Sequence, residues 1–340
     1  ADLARINAGI SDPLKKAPTV VYKTVKVEEE VKDDSVGNEG NGHSLDMYDY
    51  LCRTNSTDLM NRRDSMMNYF SKIPEPMRSE CVDTFMSGDR RICDLFSNYM
   101  LYDERIPIAG VNTSGSYLAD DGIWYNIEDN HIVFKWSTIA HEMTHAIDKA
   151  NGWISYNWGD LIIQDIRESI SAQTTREYIN QMLQAGISYQ QIEYSVKNNT
   201  IEGAVNLILD RTKSADEKLS VAKKTFPSEQ YLTVLEVQKY YNQEFSSSHL
   251  ENSLAGDLYY GVTKGFITTA LGHDLYDYWY TSKENLSELN MENLCAEYFA
   301  NVLPAIYIGD EENKQAAYKY FPRATEEMLS VIDNLDKTFR

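Results

Sequence analysis

His141 and His145 stand four residues apart with Glu142 between them, and on a helix that spacing puts both imidazoles on one face. Two imidazoles so placed can share one Zn2+, while Glu142 projects beside them toward a metal-activated water. The flanking residues support the helix. Ile139, Met143, Ala146, Ile147 and Ala150 recur at helical intervals and form an apolar stripe beside the histidines. Ser137 or Thr138 is positioned to cap its start, and Gly152 to end it.

A catalytic zinc needs a third protein ligand and an open position. Of the other histidines, His43, His131, His249 and His273, none sits at the downstream spacing that a third histidine on the same segment would require. A glutamate on another helix is the usual alternative. The run Asn293 to Asn301 is apolar enough to be buried yet carries one carboxylate, Glu297. A buried unpaired carboxylate costs several kcal/mol, which calls for a cation nearby. Asn301 lies one turn on and can hold the glutamate or a histidine in place. The competing reading is an amphipathic helix with Glu297 facing water.

Along the chain, residues 1–45 read as an extended arm or linker. Glu28-Glu29-Glu30, Asp33-Asp34 and the glycines at 37, 40 and 42 leave little apolar periodicity there. Residues 46–109 read as a helical N-terminal region, broken near Pro74-Glu75-Pro76 and Gly88. Residues 110–340 read as one domain. It starts with short strands at Ser116–Leu118, Ile123–Ile127 and His131–Lys135, then continues as helix with breaks near Gly186, Pro227, Ser246-Ser247-Ser248 and Pro304. The expected class is α+β, mainly α: a small sheet, an active-site helix and a large helical insertion at about 156–250.

His141-Glu142-x-x-His145-Ala146-Ile147-Asp148 together with Ala296-Glu297-Tyr298-Phe299-Ala300-Asn301 resembles the peptidase domain of anthrax lethal factor and its relatives, which pair HExGHAxD with ExFAE. A closer resemblance is to the peptidase-like domains of phage head-morphogenesis (minor head) proteins. It is carried by Gly256 to Thr263, Gly272-His273, Tyr276 to Trp279 and Tyr320-Phe321-Pro322. Thr144 stands where that pattern usually has glycine, and the long interval from His145 to Glu297 accommodates the insertion. The resemblance implies a zincin-like fold of gluzincin type, with one Zn2+ per chain on His141, His145 and Glu297. It further implies Glu142 as general base and Asp148 as an acceptor fixing a ligand imidazole. His273 or Tyr278 is favoured as the donor to the oxyanion; Asn290 stands where the relatives' tyrosine would fall by spacing. The segment His131–Phe134 becomes an edge strand for an extended peptide, or else an ordinary interior strand.

The expected function is thus zinc-dependent endopeptidase, acting on a peptide or protein substrate, with phage head or portal proteins as possible partners. The alternative is a virion or assembly protein that keeps a peptidase fold for a structural role. Virion association or secretion is favoured over a plain cytoplasmic location, and a start at Ala1 is compatible with a removed leader. The net charge of −20 repels phosphate backbones, which argues against nucleic acid as a general partner. No run of about 18 apolar residues suggests a membrane span. The four cysteines show no CxxC spacing; free buried thiols are expected, with a Cys81–Cys93 bridge the other possibility.

Overall fold

The computed structural model describes residues 56–103, 108–109, 116–118, 122–125, 133–198, 200–273, 276–280 and 288–336. The arm at 1–45, the turn at 128–130 and the pair His131-Ile132 lie outside the described residues.

The chain opens with α1 (Ser56–Tyr69), α2 (Met77–Ser87) and α3 (Arg90–Tyr102), separated where proline and Gly88 stop helix growth. Asp89 caps α3 by accepting from the Arg91 N–H. Three strands follow, β1 (Ile108–Ala109), β2 (Ser116–Leu118) and β3 (Gly122–Tyr125), in the order β1-β3-β2, parallel then antiparallel. Then come α4 (Ser137–Ala150), a 3-10 turn (Ile154–Trp158) and the long α5 (Gly159–Gln184). Next are α6 (Tyr189–Lys197), α7 (Glu202–Ile208), α8 (Ala215–Thr225), α9 (Ser228–Glu244) and α10 (Leu250–Thr263). The chain continues with the single turn α11 (Tyr276–Trp279), α12 (Met291–Tyr307), α13 (Glu311–Tyr320) and α14 (Pro322–Asp336).

The expected α+β class is overturned. Helices hold most of the described residues, and the strands, of two, three and four residues, form one small patch beside α4 rather than a layer of the fold. The strand expected at 131–135 shows why. Val133-Phe134 form a bend and Lys135-Trp136 a turn, because this segment starts α4 instead. Ser137 N–H donates to the Phe134 carbonyl, and Ala140 N–H to that of Trp136, so those carbonyls are spent on the helix start. Trp136, fully buried, adopts a left-handed conformation (φ 66°) to make the turn. Burial of a large indole has overridden the strand propensity of its neighbours. Without that strand, the expected pairing of a substrate along 131–134 has no ladder at Val133-Phe134. Ser137 and Thr138 fall inside α4 rather than capping it, whereas Gly152 does follow its end with φ 73°. Pro304 sits within the last turn of α12 and does not break it.

The core is built around α12, which packs most extensively on α4. Its Leu294, Cys295, Tyr298, Phe299, Val302 and Leu303 are buried in one cluster with Ile139, Ala140, Met143 and Ile147 of α4. Each large side chain so buried contributes roughly 1.5–3 kcal/mol. Trp158 closes one side, edge-on to Phe299 at 5.2 Å between ring centroids. At the far end of α12, Tyr307 packs against Phe85 and Phe96, so α2 and α3 share this core. The described cysteines, Cys81, Cys93 and Cys295, are free and buried. Among the described residues no helix is long and apolar enough to cross a membrane.

Candidate metal centre

Helices α4 and α12 bring three expected ligands together. His141 Nε2 and His145 Nε2 lie 3.1 Å apart. Glu297 Oε2 is 3.5 Å from His141 Nε2, and Glu297 Oε1 is 3.5 Å from His145 Nε2. A tetrahedral zinc with bonds of about 2.0–2.1 Å separates its ligand atoms by about 3.3–3.4 Å. The three observed edges bracket that value, so the residues fit the ion.

The donor chemistry fits too. Asn301 Nδ2 donates to the Leu254 carbonyl at 3.3 Å, which turns its Oδ1 toward His141 Nδ1 at 3.0 Å. An amide oxygen only accepts, so Nδ1 carries the proton and Nε2 presents its lone pair to the site. Burial and the adjacent His145 push the His141 imidazolium down to about 4, so the ring is neutral at pH 7. Burial pushes His145 the same way, but Glu297 and Glu142 outweigh it and raise it. Glu297 is 2% exposed. Burial alone would raise its carboxyl, yet His145, His141 and His273 hold it well below the carboxylate range. Its Oε1 accepts from the Tyr278 hydroxyl, whereas Oε2 is buried with no hydrogen-bond partner. A bare carboxylate oxygen inside a core is costly unless a cation meets it.

The three ligands and Glu142 line one cavity of about 590 Å³. Its apolar wall comes from Val133, Phe134, Leu254, Leu271 and Ala300. Pro304, also at the wall, has no N–H and leaves the Ala300 carbonyl without its usual helical donor.

Three expected roles are redrawn by the geometry. Asp148 is fully buried, but its oxygens accept from Ser155, from the backbone N–H at 3.1 Å and the hydroxyl at 2.6 Å. It ties α4 to the 3-10 turn, and orienting an imidazole falls to Asn301. Tyr278 spends its hydroxyl on Glu297. His273 stacks on the Tyr278 ring at 3.8 Å, and Asp257 accepts from its backbone N–H at 2.7 Å while Asp257 Oδ2 meets its Nδ1 at 3.1 Å. Asp257, 3% exposed, is the residue that the sequence reading passed over. The available signal was the one used for Glu297: a single carboxylate in the apolar run of α10.

No family model, curated protein or solved structure matches this chain.

Proposed function

We propose that the chain is a zinc-dependent endopeptidase. The observation that carries this reading is the convergence of His141, His145 and Glu297 at edges of 3.1 and 3.5 Å, in a cavity that Glu142 also lines. A zinc ion held by these three supplies the Lewis acidity that activates water near neutral pH.

The remaining work belongs to the chain. Glu142 projects from the same helix as the two histidines, accepts a proton from the attacking water and delivers it to the leaving amine. Asn301 keeps the His141 lone pair aimed inward, and Tyr278 holds Glu297 in place. The apolar wall receives substrate side chains and excludes bulk water. A cavity open beside the ligand set favours catalysis over a closed structural site. The resemblance to phage head-morphogenesis domains makes capsid and portal proteins the first physiological substrates to try.

Glu142→Gln tests the reading, with denatured casein and a quenched fluorescent peptide library as substrates. The variant is expected to keep its zinc, by elemental analysis, and to lose on the order of 10²–10⁴-fold in turnover. Unchanged turnover in a zinc-replete variant would sink the proposal.

A further inference from the structure

We propose that the same cavity takes a second divalent cation, held by Asp257, His273 and Glu297, with Glu297 shared between the two ions. The inference rests on the first three residues being a metal site and goes beyond it. Asp257 Oδ2 and His273 Nδ1 are 3.1 Å apart, and His273 Nδ1 is 3.9 Å from Glu297 Oε2. The ligand atoms of the three residues all lie within 4.8 Å of one another.

Glu297 Oε2 is the atom both groups have in common. It lies 3.5 Å from His141 Nε2 and 3.9 Å from His273 Nδ1, and it has no hydrogen-bond partner. A proton on His273 satisfies the contact to Asp257 but offers nothing across 3.9 Å to Glu297, which is beyond hydrogen-bonding reach. A cation among the three answers all of them.

The second group is built rather than fortuitous. The His273 backbone N–H holds Asp257 Oδ1, which turns Oδ2 toward the ring. Gly272 makes that approach possible. It has φ 109°, and a Cβ there would lie 2.3 Å from Asp257 Cγ. The Tyr278 ring, stacked on His273, fixes the imidazole plane. One nitrogen and two oxygen donors suit zinc first, with manganese as the harder alternative.

The test is metal stoichiometry on the full chain, stripped with chelator and then titrated with Zn2+ by calorimetry, with elemental analysis of the saturated protein. Wild type is expected to bind two ions per chain. Asp257→Asn, which keeps the acceptor for the His273 N–H, and His273→Ala are each expected to bind one. Circular dichroism and thermal unfolding check that both variants fold. Co2+ provides a second readout: two ions sharing Glu297 should show magnetic coupling that Asp257→Asn abolishes. One ion in wild type overturns this proposal and leaves the peptidase reading standing. Two ions in wild type and in both variants overturn it as well, since the second would lie elsewhere. No ion in folded wild type sinks both.

Discussion

Glu297 and Asp165 are both carboxylates inside the helical core, and they are satisfied in opposite ways. Asp165 Oδ2 accepts from the backbone N–H groups of Arg323 and Ala324, each at 3.0 Å, and Oδ1 accepts from the Arg323 guanidinium at 3.1 Å. It closes the N-terminus of α14, where free N–H groups and the helix dipole favour an anion. Every demand of that carboxylate is met by the chain. Glu297 is met on one oxygen by Tyr278 and left bare on the other, with three imidazoles turned toward it. A buried acid completed by backbone is structure, and a buried acid left incomplete among histidines is a candidate site.

The sharpest way to break this comparison is Glu297→Ala beside Asp165→Ala, each unfolded in urea with chelator and with zinc. Zinc at a hundredfold over its dissociation constant should stabilise wild type by about 2.7 kcal/mol. Glu297→Ala should lose that increment. Asp165→Ala should keep it, while its stability falls by about 1–3 kcal/mol in both conditions as two helix N–H groups lose their acceptor. If the zinc increment survives in Glu297→Ala, the two acids do not differ in the way described.

A finer test removes Asn301. Asn301→Ala deletes the acceptor that fixes the His141 tautomer without touching a ligand, so zinc should bind 10–100-fold more weakly. Competition against a chromophoric chelator measures it. An unchanged dissociation constant would mean that the His141 lone pair is held inward by packing alone.

The convergence at the candidate site was more legible in the sequence than the fold was. His141, Glu142, His145 and Glu297 could be found because each carries its own chemistry at a fixed spacing, or as one acid in an apolar run. Asp257 met the second criterion equally well, but its partner is His273, which returns to it after the segment 264–272, where the close approach depends on Gly272. Nothing in local spacing shows that return. The strand reading at 131–135 failed for a related reason. The β-branched and aromatic run Ile132-Val133-Phe134 does encode strand propensity, but the buried Trp136 and the first turn of α4 claimed the backbone from Phe134 on. Pro304 misled likewise, because near a helix C-terminus it removes one hydrogen bond without stopping the last turn.

Lys218 extends the comparison to a buried cation. It is fully buried on α8, and its Nζ donates to the carbonyls of Ile208 and Thr263 at 2.7 and 2.6 Å, the last residues of α7 and α10. Like Asp165, it is completed by helix ends, here the electronegative ones. Burial pushes its ammonium down from 10.5 to about 7, against the opposing pull of Asp210. The unfolded chain therefore binds more protons than the native state between about pH 7 and 10. Stability contributed at this position rises with pH across that window, with a slope of at most about 1.4 kcal/mol per unit, and is flat below it. Lys218→Met should abolish the rise and cost about 1–3 kcal/mol by leaving two carbonyls without a donor. Urea unfolding of both proteins at pH 6, 7, 8 and 9, in chelator so that metal binding adds no slope, reads the difference. A constant offset from pH 6 to 9 would show that Lys218 stays charged in the core. The two helix-end carbonyls would then stabilise the ammonium more strongly than its burial opposes it.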